Sequence, residues 1–326
     1  MIQAGARASV IVPAFNAAKI LREGLVALQN QTCPPLEIIV VDDGSTDATG
    51  EVAQACGARV LHQAHRGPAA ARNLGAEQAC GEVLLFTDAD CVPAPDWVAQ
   101  MLAPLVDANV VATKGTYRSR QRSLVARLVQ LEYAMRYERM AQFDSIDFVD
   151  TYSAAFRRDT FLRVGGFDAV FPIPSAEDVD LSFRLARQGC RMVFAPDAWV
   201  WHTHPTSLRV YLTRKAQYGW WRALLYLRFP EKIRGDAHTA PQLKIQFALF
   251  ALLGLTWVGA FIWQPLALVA FGAFLGLVAT TLPFARWAWR RDATVALLSI
   301  PIMLLRVVVQ GFALALGLVR YGIFAR

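Results

Sequence analysis

The sequence predicts an α/β domain on a mostly parallel, Rossmann-like sheet, followed by basic helices and a membrane-inserted tail. Three observations carry this. Short apolar runs alternate with helix-period segments from residue 8 to residue 86, the pattern of βαβ units joined by right-handed crossovers. The 41 residues Ile245–Ala285 hold no Asp, Glu, Lys or Arg, enough for two spans of about 20 residues each. The chain is 55% hydrophobic and 18% charged, against roughly 25% charge in a soluble domain. That balance excludes disorder. Five cysteines, odd in number and without metal-like spacing, exclude a disulfide scaffold and point to a reducing compartment.

The elements follow in order. Residues 8–16 read as a buried strand stopped by Pro13, and 17–31 as a helix with Ile20, Leu21, Leu25 and Leu28 on one face. Glu37–Val41 is a second buried strand ending in Asp42-Asp43-Gly44-Ser45, with Ser45 the expected N-cap of a helix over 46–55. A short strand at 58–61, an alanine-rich helix at 67–80 and a fourth strand at 82–86 complete the alternation, the last ending in Thr87-Asp88-Ala89-Asp90. Ligands of such sheets lie outside the carboxyl ends of the strands, where Asn16, Asp42, Asp43, Asp88 and Asp90 all fall.

Residues 1–205 are thus expected to form the α/β domain, with 119–142 an amphipathic helix that lies at a membrane interface or packs on the domain. Residues 206–242 are expected to form basic aromatic interface helices, because 207–229 interleaves Tyr211, Tyr218, Trp220, Trp221 and Tyr226 with five Arg or Lys. Residues 243–326 are expected to hold two or three spans, at about 245–263, 265–285 and 293–319. Arg306 and Gln310 interrupt the third, which reads as a span or as a re-entrant pair. Residues 1–117 carry a net −5, 118–244 a net +7 and 245–326 a net +5, so the basic excess flanks the spans, as anionic headgroups favour. No nucleic-acid motif accompanies it. Arg286, Arg290 and Arg291 between the second and third apolar segments predict a cytoplasmic loop, hence a cytoplasmic N-terminal domain. No signal-peptide pattern opens the chain, so Sec-type export is not expected.

Four clusters carry candidate chemistry. In extended backbone Asp88 and Asp90 would point the same way and hold a hard divalent cation such as Mg2+ or Mn2+; turn capping is the alternative. Asp42-Asp43 could accept ribose or base hydrogen bonds, or simply cap turns. Neither G-x-G-x-x-G nor G-x-x-x-x-G-K is present, so a nucleotide would be held by metal and side chains, as befits a leaving group. Glu177-Asp178 at a helix start could supply a general base, while Asp180 and Arg184 form the familiar i,i+4 pair. His202 and His204, alternating in a strand, could ligate metal or phosphate, or be structural.

Together these residues resemble glycosyltransferase family 2 enzymes of the GT-A fold. The matching segments are Val10–Asn16, Glu37–Asp47, Gly67–Gly75, Thr87–Asp90, Gly165–Asp168 and Glu177-Asp178. The resemblance implies inverting transfer of a sugar from a nucleotide-diphosphate sugar, a UDP-sugar foremost. It implies that Pro13, Phe15, Asp43 and Arg72 shape the base and ribose pocket, and that Asp88 approaches ribose or sugar. Asp90 would hold the Mg2+ or Mn2+ on the diphosphate, with Asp88 beside it and His202 a third ligand. Asp178, or alternatively Glu177, would deprotonate the acceptor. Processive relatives carry Gln-x-x-Arg-Trp; here Gln217-Tyr218-Gly219-Trp220-Trp221 has Trp where Arg is expected, which argues against chain polymerisation. The arrangement is similar to succinoglycan-type glucosyltransferases that extend a polyprenyl-diphosphate-linked sugar. This implies a lipid-linked acceptor at the inner leaflet of a bacterial-type plasma membrane, met by Trp220, Trp221, Arg222 and Arg306. Two rivals remain: a synthase that glycosylates bare polyprenyl phosphate, and a non-catalytic sugar-nucleotide-binding scaffold.

Overall fold

The computed structural model describes residues 7–322, except 172, 174, 237, 238 and 240; the first six residues, on which the export reading partly bears, lie outside it. The chain divides into two compact units. One comprises residues 1–120 and 137–203, the other residues 121–136 and 204–326.

The first unit is built on an eight-stranded mixed sheet. Its elements are β1 (Ala8–Ala14), α1 (Leu21–Gln29), β2 (Glu37–Asp42), α2 (Thr49–Ala55), β3 (Arg59–His62), α3 (Pro68–Gln78), β4 (Val83–Phe86), β5 (Val92–Pro93), α4 (Trp97–Leu102) and β6 (Val110–Arg118). After α5 (Leu124–Met140) come β7 (Ala154–Arg157), α6 (Arg158–Arg163), α7 (Glu177–Arg187) and β8 (Arg191–Trp201). The spatial order is β3-β2-β1-β4-β7-β6-β8-β5. The first four strands are parallel, as the alternation predicts, with Val10 opposite both Ile38 and Leu85. β7 then pairs antiparallel with β4 and β6, and β5 with β8, so the sheet is more mixed than expected. Val10, Ile11, Ile39, Val40, Val83, Leu84 and Phe86 are fully buried. A run apolar on both faces is what a strand covered by helices on each side requires.

Two local expectations fail for identifiable reasons. Ser45 does not cap α2: its Oγ accepts the amide of Asn16 at 2.9 Å, and the helix starts only at Thr49, whose amide is taken by Asp47 Oδ1. Nor do Asp88 and Asp90 alternate in a strand. β4 ends at Phe86, and the Cys91 amide donates to the Asp88 carbonyl at 3.0 Å, which makes residues 88–91 a turn.

The second unit is helical: the N-terminal part of α5, then α8 (Leu208–Arg228), α9 (Pro241–Gly259), α10 (Leu266–Trp289) and α11 (Ala293–Gly322). The last three are long and apolar enough to cross a membrane, and α11 is one continuous helix through Arg306. Val125, Leu128 and Val129 of α5 pack with Tyr211, Phe284, Val295 and Met303, so this part of α5 is a packed helix.

Several charged and polar groups of this unit pair with one another. Arg306 donates to Glu132 Oε1 at 2.8 Å and to Gln246 Oε1 at 3.0 Å. Lys215 reaches Glu132 Oε2 at 2.9 Å, and the Tyr211 hydroxyl donates to Oε1 at 3.0 Å. Burial alone would raise the Glu132 carboxyl; Lys215, Arg306 and the Tyr211 hydroxyl override it and hold it at about 2. Arg127 forms a fork with both carboxylate oxygens of Asp292, at 2.7 and 2.8 Å.

Candidate active site

β2, β1 and β4 are neighbours in the sheet, so the segments after them gather at one edge. After β1, Asn16 adopts the left-handed conformation (φ 49°). Its side-chain oxygen accepts the Thr46 amide at 2.9 Å, while Asp47 accepts the Ala18 amide at 3.2 Å. Much of the acidic run after β2 is therefore turn chemistry, the alternative weighed above. Gly44 (φ +78°) allows that turn, and a Cβ there would press on the His65 amide.

Asp43 is buried and its carboxylate is fully engaged. Oδ1 accepts Gln63 Nε2 at 2.6 Å and the Arg66 amide at 2.8 Å; Oδ2 accepts the Gly67 amide at 2.9 Å and lies 3.0 Å from His65 Nδ1. With those acceptor positions filled, Asp43 acts by fixing the loop from residue 63 to 67. That loop stacks His65 on Phe15, ring centroids 4.1 Å apart. Phe15 is nearly half exposed, and Pro13 lies on β1 before it. The pair offers a flat aromatic surface, and His65 is the member that sequence reasoning missed.

A second set is organised by Arg72 on α3. Its guanidinium is buried and bridges two carboxylates, Nη2 to Asp88 Oδ1 at 2.7 Å and Nη1 to Glu177 Oε1 at 3.1 Å. Burial works against its charge, but Asp88 and Glu177 hold its pKa above the ordinary arginine value. The expected base-pocket set thus divides: Arg72 joins the carboxylates of the turn after β4 and of α7. The Gly165–Asp168 motif supports this joint. Asn73 accepts the Phe167 amide and donates to the Phe167 carbonyl, at 2.9 and 2.7 Å, while Arg184 donates to the Val164 and Gly166 carbonyls and pairs with Asp180 at 2.8 Å.

Glu177 and Asp178 open α7. Glu177 is buried and its other oxygen accepts the Ser175 amide, so it is held on both sides. Asp178 is half-buried; its oxygen accepts only the adjacent Val179 amide at 2.8 Å among the described bonds. Burial, then the charges of Glu177 and Asp150, push its pKa well above the usual carboxylate range, against the weaker pull of Arg72. A carboxylate so placed has the proton affinity of a general base.

Asp150 belongs to a network absent from the sequence reading. Lys114 of β6, fully buried, pairs with Asp150 and donates to the Tyr152 hydroxyl, which lies 2.7 Å from that of Tyr137. The signal was a lysine inside the apolar strand Val110–Arg118.

Asp90 and His202 form the third set. His202 Nε2 lies 3.3 Å from Asp90 Oδ2, its ring stacked on Tyr117 at 4.2 Å. With Cys91 they are a trio of potential ligand atoms within 4.8 Å of one another. Burial pushes the Cys91 thiol up, leaving a neutral SH that does not suit a hard cation. One carboxylate and one imidazole, with positions left for water and phosphate, fit a divalent ion such as Mn2+. Asp88 stands with Arg72 instead. β8 ends at Trp201, so the two histidines do not alternate in a strand: His204 is buried in the second unit, its Nε2 3.0 Å from Gln130 Oε1.

The expected lipid-contacting residues are placed inside the second unit. Trp220 donates to the Tyr321 hydroxyl at 2.9 Å, Trp221 stacks on the same ring, and Arg222 is buried against Thr239. Arg306 is committed to Glu132 and Gln246, because a cation in an apolar helix pairs with the nearest carboxylate.

Residues 9–165 match the glycosyl transferase family 2 model. The chain carries a glycosyl transferase family 2 domain. It is 34% identical over 234 residues to the pre-mycofactocin glycosyltransferase of Mycobacterium tuberculosis, covering 69% of this chain and 48% of that one. It is 30% identical over 227 residues to the validoxylamine A glucosyltransferase of Streptomyces hygroscopicus subsp. limoneus, covering 59% and 50%. The chain thus spans about half the length of these curated relatives. The mannosyltransferase PcManGT of Pyrobaculum calidifontis, solved with GDP-Man and Mn2+, superposes with a TM-score of 0.63 at 24% identity, covering 96% of this chain and 88% of that one. The family 2 domain has the expected GT-A architecture. Its motifs correspond to the three sets: Asp43 behind the aromatic pair, Asp88 with Arg72 and Glu177-Asp178, and Asp90 with His202.

Proposed function

We propose that the protein is an inverting glycosyltransferase that moves one sugar from a nucleotide-diphosphate sugar, a UDP-sugar foremost, to a hydroxyl of a lipid-linked acceptor. The observation that carries this reading is Asp178. It is a half-buried carboxylate of raised proton affinity, beside Glu177, which Arg72 ties to Asp88. The acceptor oxygen forms a bond to the anomeric carbon as the bond from that carbon to the diphosphate oxygen breaks. The acceptor proton passes to Asp178, and the nucleoside diphosphate leaves. Phe15 and His65 offer the base a stacking surface. Mg2+ or Mn2+ bound at Asp90 and His202 would supply positive charge against the leaving diphosphate. Arg72 cannot replace that charge, since two carboxylates already neutralise it.

The three apolar helices support a membrane anchor. Arg286, Arg290 and Arg291 favour a cytoplasmic loop between α10 and α11, and so a catalytic domain at the cytoplasmic leaflet of a bacterial-type inner membrane. With Arg306 engaged by Glu132, the acceptor's lipid phosphate falls to exposed basic side chains of α8 such as Arg209 and Arg214.

The test is Asp178→Asn in membranes supplied with donor sugars and polyprenyl-linked acceptors. Near-total loss of transfer is expected for a hydroxyl acceptor. Mild loss would favour bare polyprenyl phosphate, whose oxygen is already ionised, and a wild type inert across donors and acceptors would favour the scaffold. The wild-type rate should rise with pH through a midpoint above the usual carboxylate range, because Asp178 accepts a proton only once ionised.

A further inference from the structure

Outside the candidate site, one surface of the first unit combines two arginines with two tryptophans. In β8, Ala198 and Val200 are fully buried, so Trp199 and Trp201 lie on the opposite face, half-buried. β6 runs parallel beside it, with Arg118 opposite Trp201 and Thr116 opposite Trp199. The Arg118 guanidinium sits 4.3 Å over the Trp199 ring and that of Arg120 4.1 Å over Trp201. The two indoles meet edge to face at 5.0 Å. Both arginines are exposed. Tyr117, the neighbour of Arg118, turns the other way to stack on His202, so the ladder is not part of the candidate metal set.

Its place in the chain is informative. The chain leaves the first unit after Arg120 and again after Thr203. Both points at which the chain leaves for the unit that holds the apolar helices are therefore within two residues of the ladder, while the chain returns at Tyr137. The first unit, residues 1–120 and 137–203, holds 16 Lys or Arg against 22 Asp or Glu, a net −6, so a basic pair here is a local reversal of sign. Indoles settle at the depth of lipid headgroups, and guanidinium forks match phosphate.

We propose that the Arg118–Trp199 and Arg120–Trp201 ladder rests on anionic phospholipid headgroups and seats the catalytic domain on the bilayer. The proposal rests on the membrane reading above. If the whole chain, reconstituted in phosphatidylglycerol-containing vesicles, fails to float with lipid after detergent removal, the membrane reading has failed. If it floats, the ladder is tested by itself.

The probe is the tryptophan emission lost in the Trp199→Phe/Trp201→Phe variant, read as wild type minus variant because the chain has nine tryptophans. Lipids brominated near the top of the acyl chain should quench that difference emission, aqueous iodide should not, and the quenching should grow with the phosphatidylglycerol fraction. Arg118→Gln/Arg120→Gln, which keeps both indoles, should remove the dependence on phosphatidylglycerol. Difference emission quenched by iodide but not by brominated lipid would overturn the proposal, placing the ladder in water. Emission that neither quencher reaches would also overturn it, placing the ladder under protein.

Discussion

Arg72 is the side chain on which the proposed catalytic arrangement most depends, and Arg72→Met is a sharp perturbation of it. The substitution removes one cation from between two carboxylates. Asp88 is 27% exposed and regains water, so its loss is modest. Glu177 is 3% exposed and keeps only the Ser175 amide among the described bonds. Stranding one member of a buried pair costs about 3–5 kcal/mol, and with Asp88 able to relax the lower end, about 3 kcal/mol, applies. For a domain of this size, 1 kcal/mol moves Tm by roughly 2–4 °C, so Tm should fall by about 6–12 °C. Donor affinity should fall as well, because Asp88 is no longer aimed. The assay is denaturation of the whole chain in detergent, followed through donor-nucleotide protection. The double variant Arg72→Met/Glu177→Gln leaves no stranded carboxylate and should recover about 1–3 kcal/mol. A single variant within about 2 °C of wild type, or a double variant no more stable than the single, would refute the reasoning.

Three further predictions bear on the remaining parts. His202→Ala should raise the Mn2+ concentration needed for half-maximal donor protection by about tenfold, the equivalent of roughly 1.4 kcal/mol; titration calorimetry reads this directly, and an unchanged Mn2+ requirement would remove His202 from the metal set. Glu132 is held at about 2 in the fold against roughly 4.3 in the unfolded chain, so it contributes about 3 kcal/mol at neutral pH. That contribution is present above about pH 4.3 and drains away as pH falls towards 2. Glu132→Gln should be less stable at pH 7 and flatter through that window, as melts across pH will show. Gly219 of α8 packs on the α11 backbone, and a Cβ would collide with the Gln310 carbonyl; Gly219→Val should cost about 1–3 kcal/mol in overpacking, visible as a lower Tm in detergent.

The parallel half of the sheet, the site-bearing loops and the three apolar helices were all legible in the sequence. Each rests on a periodicity or a length, and those are local properties of a chain. Residues 10–12 and 39–41 had to be strands buried on both faces, and the uncharged run 245–285 is long and apolar enough to supply helices that could cross a membrane. What sequence could not supply was direction and partnership. Asp88 and Asp90 looked like a pair two residues apart, but the strand ends at Phe86 and the turn sends one to Arg72 and the other to His202. Arg306 looked available to a lipid phosphate until α5, 174 residues away in sequence, brought Glu132 to it. Asp43 looked like a ligand for a nucleotide, and its acceptor positions are instead filled by loop amides and side chains. Composition and spacing therefore determined the two kinds of segment, and the resemblance of the motifs supplied the family 2 domain and the residue types of the candidate site. Only the tertiary structure decided which charges neutralise one another, because a charge moved out of water must be paired, and its partner is chosen by distance in space.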